Sequence, residues 1–180
     1  MKIAFLINQT PKEQASFTTT ILALEAWKRG HDIIYIGLAE FIFQADGSIA
    51  AHVRQVTQEA ALTDAESLIA YLKEASKINM AMAEIDVLWL RFDPVLDMLS
   101  RPWAAAAGLQ FAQLIKQQGR LVINNPDALV EASNKLYLEK FPKAIRPKTI
   151  VTRNAEDVIT FLDSQGHKII LKPLKGSGGK

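Results

Sequence analysis

The sequence predicts an α/β fold: a mostly parallel sheet with covering helices, followed by the first part of a second unit. Three observations predict it. Short apolar runs with strand character alternate with helix-type segments along the first two thirds of the chain, an order that favours parallel strands joined by helical crossovers. Polar residues directly follow several of these runs, at the strand ends where open α/β sheets hold their ligands. After Pro142 and Pro147 the pattern restarts as strand, helix, strand and a glycine-rich turn.

The elements follow in order. Lys2–Ile7 reads as a buried strand, and Asn8-Gln9-Thr10 stands at its end. A helix is expected from a Ser16 cap to Arg29, with Ile21, Leu22, Leu24 and Trp27 on its apolar side and Gly30 as its stop. Ile33–Ile36 is a second strand. Phe41–Phe43 and Ile49–Val56 flank Asp46-Gly47, a favoured dipeptide of hairpin turns. Thr63-Asp64-Ala65-Glu66 has the spacing of a capping box and opens a helix carrying Leu68, Ile69 and Leu72. Asp86–Leu90 is a strand that ends at Arg91. Pro102 suits the first turn of a helix that runs toward Gln118 and stops at Gly119. Leu121–Ile123 is the next strand, and Asn124-Asn125-Pro126 is a turn and helix start.

In the second unit, Lys148–Thr152 and Lys168–Lys172 read as strands. Between them Asn154 caps a helix, with Glu156 and Asp157 in its first turn and Gly166 at its end. The last strand leads straight into Pro173-Leu174-Lys175-Gly176-Ser177-Gly178-Gly179-Lys180. Glycines let a backbone approach a ligand closely, and successive N–H groups in such a turn make a nest for phosphate oxygens. The motif is not a Walker loop. Counting back from Gly179-Lys180, the required first glycine falls on Leu174. Strand, helix, strand and glycine loop make half a domain with an open edge, so the chain is expected to be the N-terminal part of a longer protein.

Composition narrows the class. Hydrophobic residues are 49% of the 180, enough for a packed core, and there is no cysteine. That excludes disulfides and thiolate–metal sites and fits a reducing cytoplasm. The N-terminal apolar run is too short for a signal peptide, and the Trp103–Ile115 stretch is too short and too broken by Gln to span a bilayer. No membrane partner is expected. His31, His52 and His167 lack ligand spacing, so no metal site is expected on them. Trp27, Trp89 and Trp103 sit in or beside apolar segments and read as core, not as nucleic-acid platforms. The net charge of +2 hides a gradient: Lys135–Lys180 holds 10 Lys/Arg against 4 Asp/Glu. A basic quarter of this kind suits an anionic ligand, and equally a solvated basic face.

Three places have residues suited to chemistry. Lys172 with Gly176, Ser177, Gly178 and Gly179 is the sharpest, a point charge beside a backbone nest and a candidate for phosphate binding. Lys135, in Asn134-Lys135-Leu136-Tyr137, is by itself an ordinary helical lysine. Arg91 and Asp93 close a strand: an arginine fork that takes a carboxylate, beside an acid that orients it or holds an amine. A purely structural Arg–Asp pair fits the same spacing. No Gly-x-Gly-x-x-Gly follows the first strand, which disfavours an oxidoreductase.

Five blocks, taken together, resemble bacterial glutathione synthetases, members of the ATP-grasp ligases. They are Asp46-Gly47-Ser48-Ile49-Ala50-Ala51-His52-Val53-Arg54; Leu90-Arg91-Phe92-Asp93-Pro94; Val122-Ile123-Asn124-Asn125-Pro126; Asn134-Lys135-Leu136-Tyr137; and Val151-Thr152-Arg153 with Ile169 to Gly179. The resemblance implies a Rossmann-like pre-ATP-grasp substrate domain over residues 1–125. It implies a linking helix and an incomplete ATP-grasp nucleotide-binding unit over 126–180. Lys135 and Lys172 match the two lysines on the nucleotide phosphates, Gly176–Gly179 the loop over ATP, and Arg91 the arginine near the acyl substrate.

The implied reaction joins γ-glutamylcysteine to glycine through an acyl phosphate, with ATP and Mg²⁺ as cofactors. The metal ligands are expected beyond residue 180, so the 180 residues alone are expected to be inactive. The implied partners are ATP and a small amino-acid or dipeptide substrate, with no nucleic acid; the family also makes homo-oligomers. After Arg91 the family usually has Lys-Asp-Pro-Pro, where this chain has Phe92-Asp93-Pro94-Val95. Two readings therefore stay open beside the first: an ATP-grasp ligase for another amino acid or peptide, and a non-catalytic α/β domain that binds a small ligand.

Overall fold

The computed structural model describes residues 1–97, 100–132 and 134–174. The chain divides into two compact units, Met1–Val130 and Glu131–Lys180.

The first unit is built on a seven-stranded sheet. β1 (Lys2–Ile7) lies in the middle, parallel to β2 (Asp32–Gly37) on one side and to β6 (Val87–Leu90) on the other. β7 (Leu121–Ile123) extends the parallel part beyond β6. β4 (Ile49–Val56) runs antiparallel to β2 through its second half. Its first half is flanked by β3 (Phe41–Phe43) and by β5 (Ile78–Ala81), both antiparallel. The four parallel strands thus continue into an antiparallel ribbon. The Asp46-Gly47 turn closes the β3–β4 hairpin with Gly47 at φ +83°, and the Asp46 carboxylate accepts the Ser48 N–H at 2.9 Å. β5 is an element the sequence reading did not contain.

Strand alternation sorts the core onto two faces. Ala4 and Leu6 of β1, with Ile34, Ile36, Leu88 and Leu90, form one layer covered by α3 (Pro102–Gln117). Phe5 and Ile7, with Ile33, Tyr35 and Val56, form the other, covered by α1 (Thr18–Lys28) and α2 (Ala65–Glu74). Phe5 stacks on Tyr35 and on Trp89, with ring centroids 5.8 and 5.5 Å apart. α3 buries Ala104, Gly108, Ala112 and Ile115, a stripe of mostly small residues that lets the helix lie close to the sheet. A Cβ at Gly108 would overlap a Leu38 methyl.

Several local expectations are corrected. Phe17, not Ser16, precedes α1, and it makes no side-chain cap. The buried positions of α1 are Thr19, Thr20, Ala23 and Leu24, while Ile21 is 54% exposed. A helix turning every 3.6 residues puts 20, 23 and 24 on one face and turns 21 away. The capping box of α2 is set one residue later than expected: Asp64 accepts the Ser67 N–H at 2.8 Å, and the Ser67 hydroxyl accepts from the Asp64 N–H at 3.1 Å. Trp27 and Trp89 pack against the core, but Trp103 is 56% exposed on the first turn of α3.

α4 (Pro126–Glu131) opens at Pro126, where the sequence places a helix start. In the second unit, Asn154 caps α5 (Ala155–Ser164) as its spacing predicts, accepting the Glu156 N–H at 3.0 Å. Short 3₁₀ turns span Lys135–Lys140 and Lys143–Ile145. Lys148–Thr152 and Lys168–Lys172 are not strands; both are irregular. An apolar run becomes a strand only where a neighbouring backbone supplies the ladder, and none of the sheet pairings reaches these segments.

Candidate functional site

In the first unit, the ends of β1, β6 and β7 are side by side because those strands are adjacent and parallel. Asn8 leaves β1 and ties this end together. Its amide donates to the Asp93 carbonyl and to the Asp97 carboxylate, each at 2.8 Å, while its side-chain oxygen accepts the Asp93 N–H at 2.8 Å. Asp97 is 1% exposed and receives a forked ion pair from Arg101, at 2.8 and 2.9 Å from Nη2. Arg101 also donates to the Asn8 carbonyl at 2.8 Å. Burial on its own would raise the Asp97 carboxyl. The hydrogen bonds from Asn8 and Arg101, with the Arg101 charge, outweigh it and hold the group below the usual carboxylate value.

Arg91 lies at the same end of the sheet. Its Nε donates to the Thr19 hydroxyl of α1 at 3.3 Å, and its guanidinium carbon is 6.0 Å from the centre of the Trp89 ring. The Asp93 carboxylate accepts the Val95 N–H at 2.8 Å, so this side chain also shapes the loop after β6. Next to Arg91 is Glu13, half-buried, reached by the Thr20 hydroxyl at 3.5 Å. Burial raises the Glu13 carboxyl above its ordinary value; the Thr20 hydroxyl and the Arg91 charge offset this only in part.

In the second unit, Lys135 and Lys172 line one recess of about 910 Å³, together with Ile150, Val158, Phe161 and Leu171. The two lysines are far apart in sequence. They come together because the Lys135 N–H donates to the Leu174 carbonyl at 3.1 Å and its Nζ to the Pro173 carbonyl at 2.6 Å. Gly176, Ser177, Gly178 and Gly179 lie outside the described residues. Among the described residues no group of three or more His, Asp or Glu side chains is placed to hold a metal ion. No helix among them is long and apolar enough to cross a membrane.

Residues 1–129 match the family model described as "Prokaryotic glutathione synthetase, N-terminal domain". The chain belongs to the prokaryotic glutathione synthetase family. Residues 134–180 match that family's ATP-grasp domain. Among curated relatives, the glutathione synthetase of Vibrio vulnificus strain CMCP6 is 32% identical over 168 residues, 93% of this chain and 48% of its own length. That of Neisseria meningitidis serogroup B is 32% identical over 184 residues, 99% of this chain and 53% of its own length. That of Salmonella typhimurium strain LT2 is 28% identical over 162 residues, 90% of this chain and 47% of its own length. The chain therefore spans about half the length of the curated relatives it matches. It resembles an ATP-dependent ligase at modest identity.

Family membership puts the polar cluster at the ends of β1 and β6 in the N-terminal domain. Sequence reading named Asn8, Arg91 and Asp93 there. It did not name Asp97, Arg101, Glu13 or Thr19. Asp97 and Arg101 did carry a signal, since an acid four residues before an arginine is the spacing of a helical ion pair. Glu13 and Thr19 carried none, because what brings them to Arg91 is the packing on the sheet of α1 and of the segment before it.

Proposed function

We propose that this chain is the N-terminal part of a carboxylate–amine ligase of the glutathione synthetase type. In this reading residues 1–125 form the substrate domain, and 126–180 form the linking helix and the opening part of the ATP-binding unit. The observation that carries it is the convergence of Lys135 and Lys172 on one recess. Two lysine cations suit the phosphates of one nucleotide, and the recess lies within the size range of small-molecule sites.

ATP, when bound, supplies the phosphoryl group that turns a poorly reactive carboxylate into an acyl phosphate that an amine can attack. Lys135 and Lys172 hold the phosphates and screen their charge. Lys135 also holds the Pro173 carbonyl, so it anchors the segment that leads to Gly176, Ser177, Gly178 and Gly179, the residues that complete the phosphate cradle. Lys148 and Lys168 line the same recess and add to its positive charge. Arg91, with Asp93 beside it, receives the acyl substrate. The family reaction makes that substrate γ-glutamylcysteine and the amine glycine. Phe92 favours a second reading, a ligase for a less anionic acyl substrate, because it stands where the family usually has a lysine. A cytoplasmic location and a homo-oligomeric state belong to the same proposal.

The test is an ATP titration of the 180-residue chain and of its Lys135→Ala/Lys172→Ala variant. Saturable binding that weakens by about tenfold or more, roughly 1.4 kcal/mol, is the expected result. Equal binding by both proteins, or binding by neither, refutes the assignment of these lysines to the nucleotide.

A further inference from the structure

A second recess, of about 290 Å³, lies wholly within the first unit. Thr10 and Glu13 enter it from the segment after β1, Arg54 from β4 and Lys73 from α2. Its donors are unmet. Thr10 is 7% exposed, and among the described residues its hydroxyl has no hydrogen-bond partner. Nε and Nη1 of Arg54 are likewise buried without one. Buried donors are nearly always satisfied, and an unmet guanidinium N–H is among the costlier exceptions. Arg54 belongs to the Asp46–Arg54 block, and the ligase reading gives it no task.

Donors on three separate elements call for a ligand with several acceptor atoms around one centre. Two cations, Arg54 and Lys73, against one carboxyl call for an anion. Glu13 adds a selective condition: its carboxylate repels a bare oxyanion but accepts a hydrogen bond from one that keeps an O–H. Inorganic phosphate meets all three conditions near neutral pH, being tetrahedral, anionic and still protonated. Sulfate has the same shape but no proton. A phosphate monoester, with a second pKa of about 6, has largely lost its own. The volume, near the lower limit for small-molecule sites, suits an ion and a few waters.

We propose that this recess binds inorganic hydrogen phosphate, its oxygens on Arg54, Lys73 and Thr10 and its P–O–H donating to Glu13. Burial that disfavours the bare Glu13 carboxylate supports it, since a hydrogen bond from the ligand relieves the same cost. The inference uses the first unit alone and stands whether or not Lys135 and Lys172 hold a nucleotide.

The experiment is an amide-resonance titration of the isotope-labelled 180-residue chain, slightly above neutral pH and at constant ionic strength. The probes are inorganic phosphate, sulfate and methyl phosphate. Saturable shifts at Thr10, Glu13, Arg54 and Lys73 are expected with inorganic phosphate, and the other two should each bind about tenfold more weakly or worse. The shifts are residue-specific, so phosphate held by Lys135 and Lys172 registers separately. Arg54→Met removes the N–H donors at similar length and should weaken phosphate by about tenfold or more. If that variant does not fold, Thr10→Val takes its place, with a loss of several-fold expected. Glu13→Gln supplies an amide donor in place of the carboxylate and should admit sulfate, bringing the two anions within a few-fold of each other. The proposal is overturned if phosphate does not saturate these four residues by tens of millimolar, or if sulfate or methyl phosphate binds the wild type as tightly. It is equally overturned if the Arg54 or Thr10 variant binds like the wild type, or if the Glu13→Gln chain still excludes sulfate.

Discussion

Two apolar runs of nearly the same composition meet different fates in the two units. Ile33-Ile34-Tyr35-Ile36 is fully buried in β2, between β1 and β4. Ile169-Ile170-Leu171 forms no strand, with Ile170 82% and Leu171 74% exposed. Among the described residues, the buried hydrophobic core lies entirely in the first unit, and α5 with the two 3₁₀ turns of the second buries nothing. β-branched residues favour strands because they fit a pleated surface with neighbours on it. The first run has neighbours on both edges and both faces. For the second run the sequence carries the same signal and the fold provides no ladder.

Truncating one buried and one exposed leucine puts the contrast to its hardest test. Leu6→Ala removes a side chain buried between β2, β6 and α3 and should cost about 3 kcal/mol, within the usual range for buried leucines. Leu171→Ala should stay within about 0.5 kcal/mol, as substitutions at exposed positions do. Denaturant unfolding followed by tryptophan fluorescence reads the first effect directly, since Trp27, Trp89 and Trp103 all belong to the first unit. For Leu171, far-ultraviolet circular dichroism is the better probe. Equal losses at the two positions would erase the distinction between the units.

A smaller effect is expected from the polar interior of the first unit. Asp97→Asn keeps the shape but leaves Arg101 without its carboxylate, and should cost about 2 kcal/mol near neutral pH. That is below the range for fully buried pairs, because Arg101 is partly exposed. The pH sign follows from linkage. The Asp97 carboxyl is held low in the folded chain, so its stabilisation is present above the unfolded value of about 3.9 and lost as the pH falls through the folded one. The gap between wild type and Asp97→Asn should therefore be constant around neutrality and close under acid. A gap that persists at low pH would assign the cost to packing and not to charge.

The sequence was most readable where a signal acts over a few residues. The strands of the first unit, the Asp46-Gly47 turn, Pro102 at the start of α3 and the Asn154 cap all rest on local chemistry, and all are present in the structure. β5 was invisible because Ile78–Ala81 becomes a strand only by pairing with β4, far from it in sequence. The strand ends were readable as places, through Asn8, Arg91 and Asn124. Their wiring was not, since the Asn8–Asp97–Arg101 cluster depends on a loop returning across the sheet end. Arg54 shows the same limit. Its block was conspicuous, but only the packing of α2 over β4 reveals that two of its nitrogens are buried without a partner.

The smallest expected effect probes how dry the interior of the first unit is beside its sheet end. Glu13 is an acid whose folded pKa lies above the ordinary value, because burial disfavours the carboxylate more than Thr20 and Arg91 favour it. The folded chain then binds more protons there than the unfolded chain. Stability falls as the pH climbs from the unfolded value of about 4.3 through the folded one, and the penalty is complete above both. Glu13→Gln keeps an acceptor for Thr20 and removes the charge, so it should raise the melting temperature slightly at pH 7 to 8, with the gain shrinking to nothing near pH 4. Arg91→Met should enlarge that gain, because it deletes a nearby cation that lowers the Glu13 carboxyl. A melting temperature unchanged by Glu13→Gln at every pH would mean that water reaches this carboxyl freely. The boundary between closed core and open surface would then run through the first unit itself, at the segment after β1.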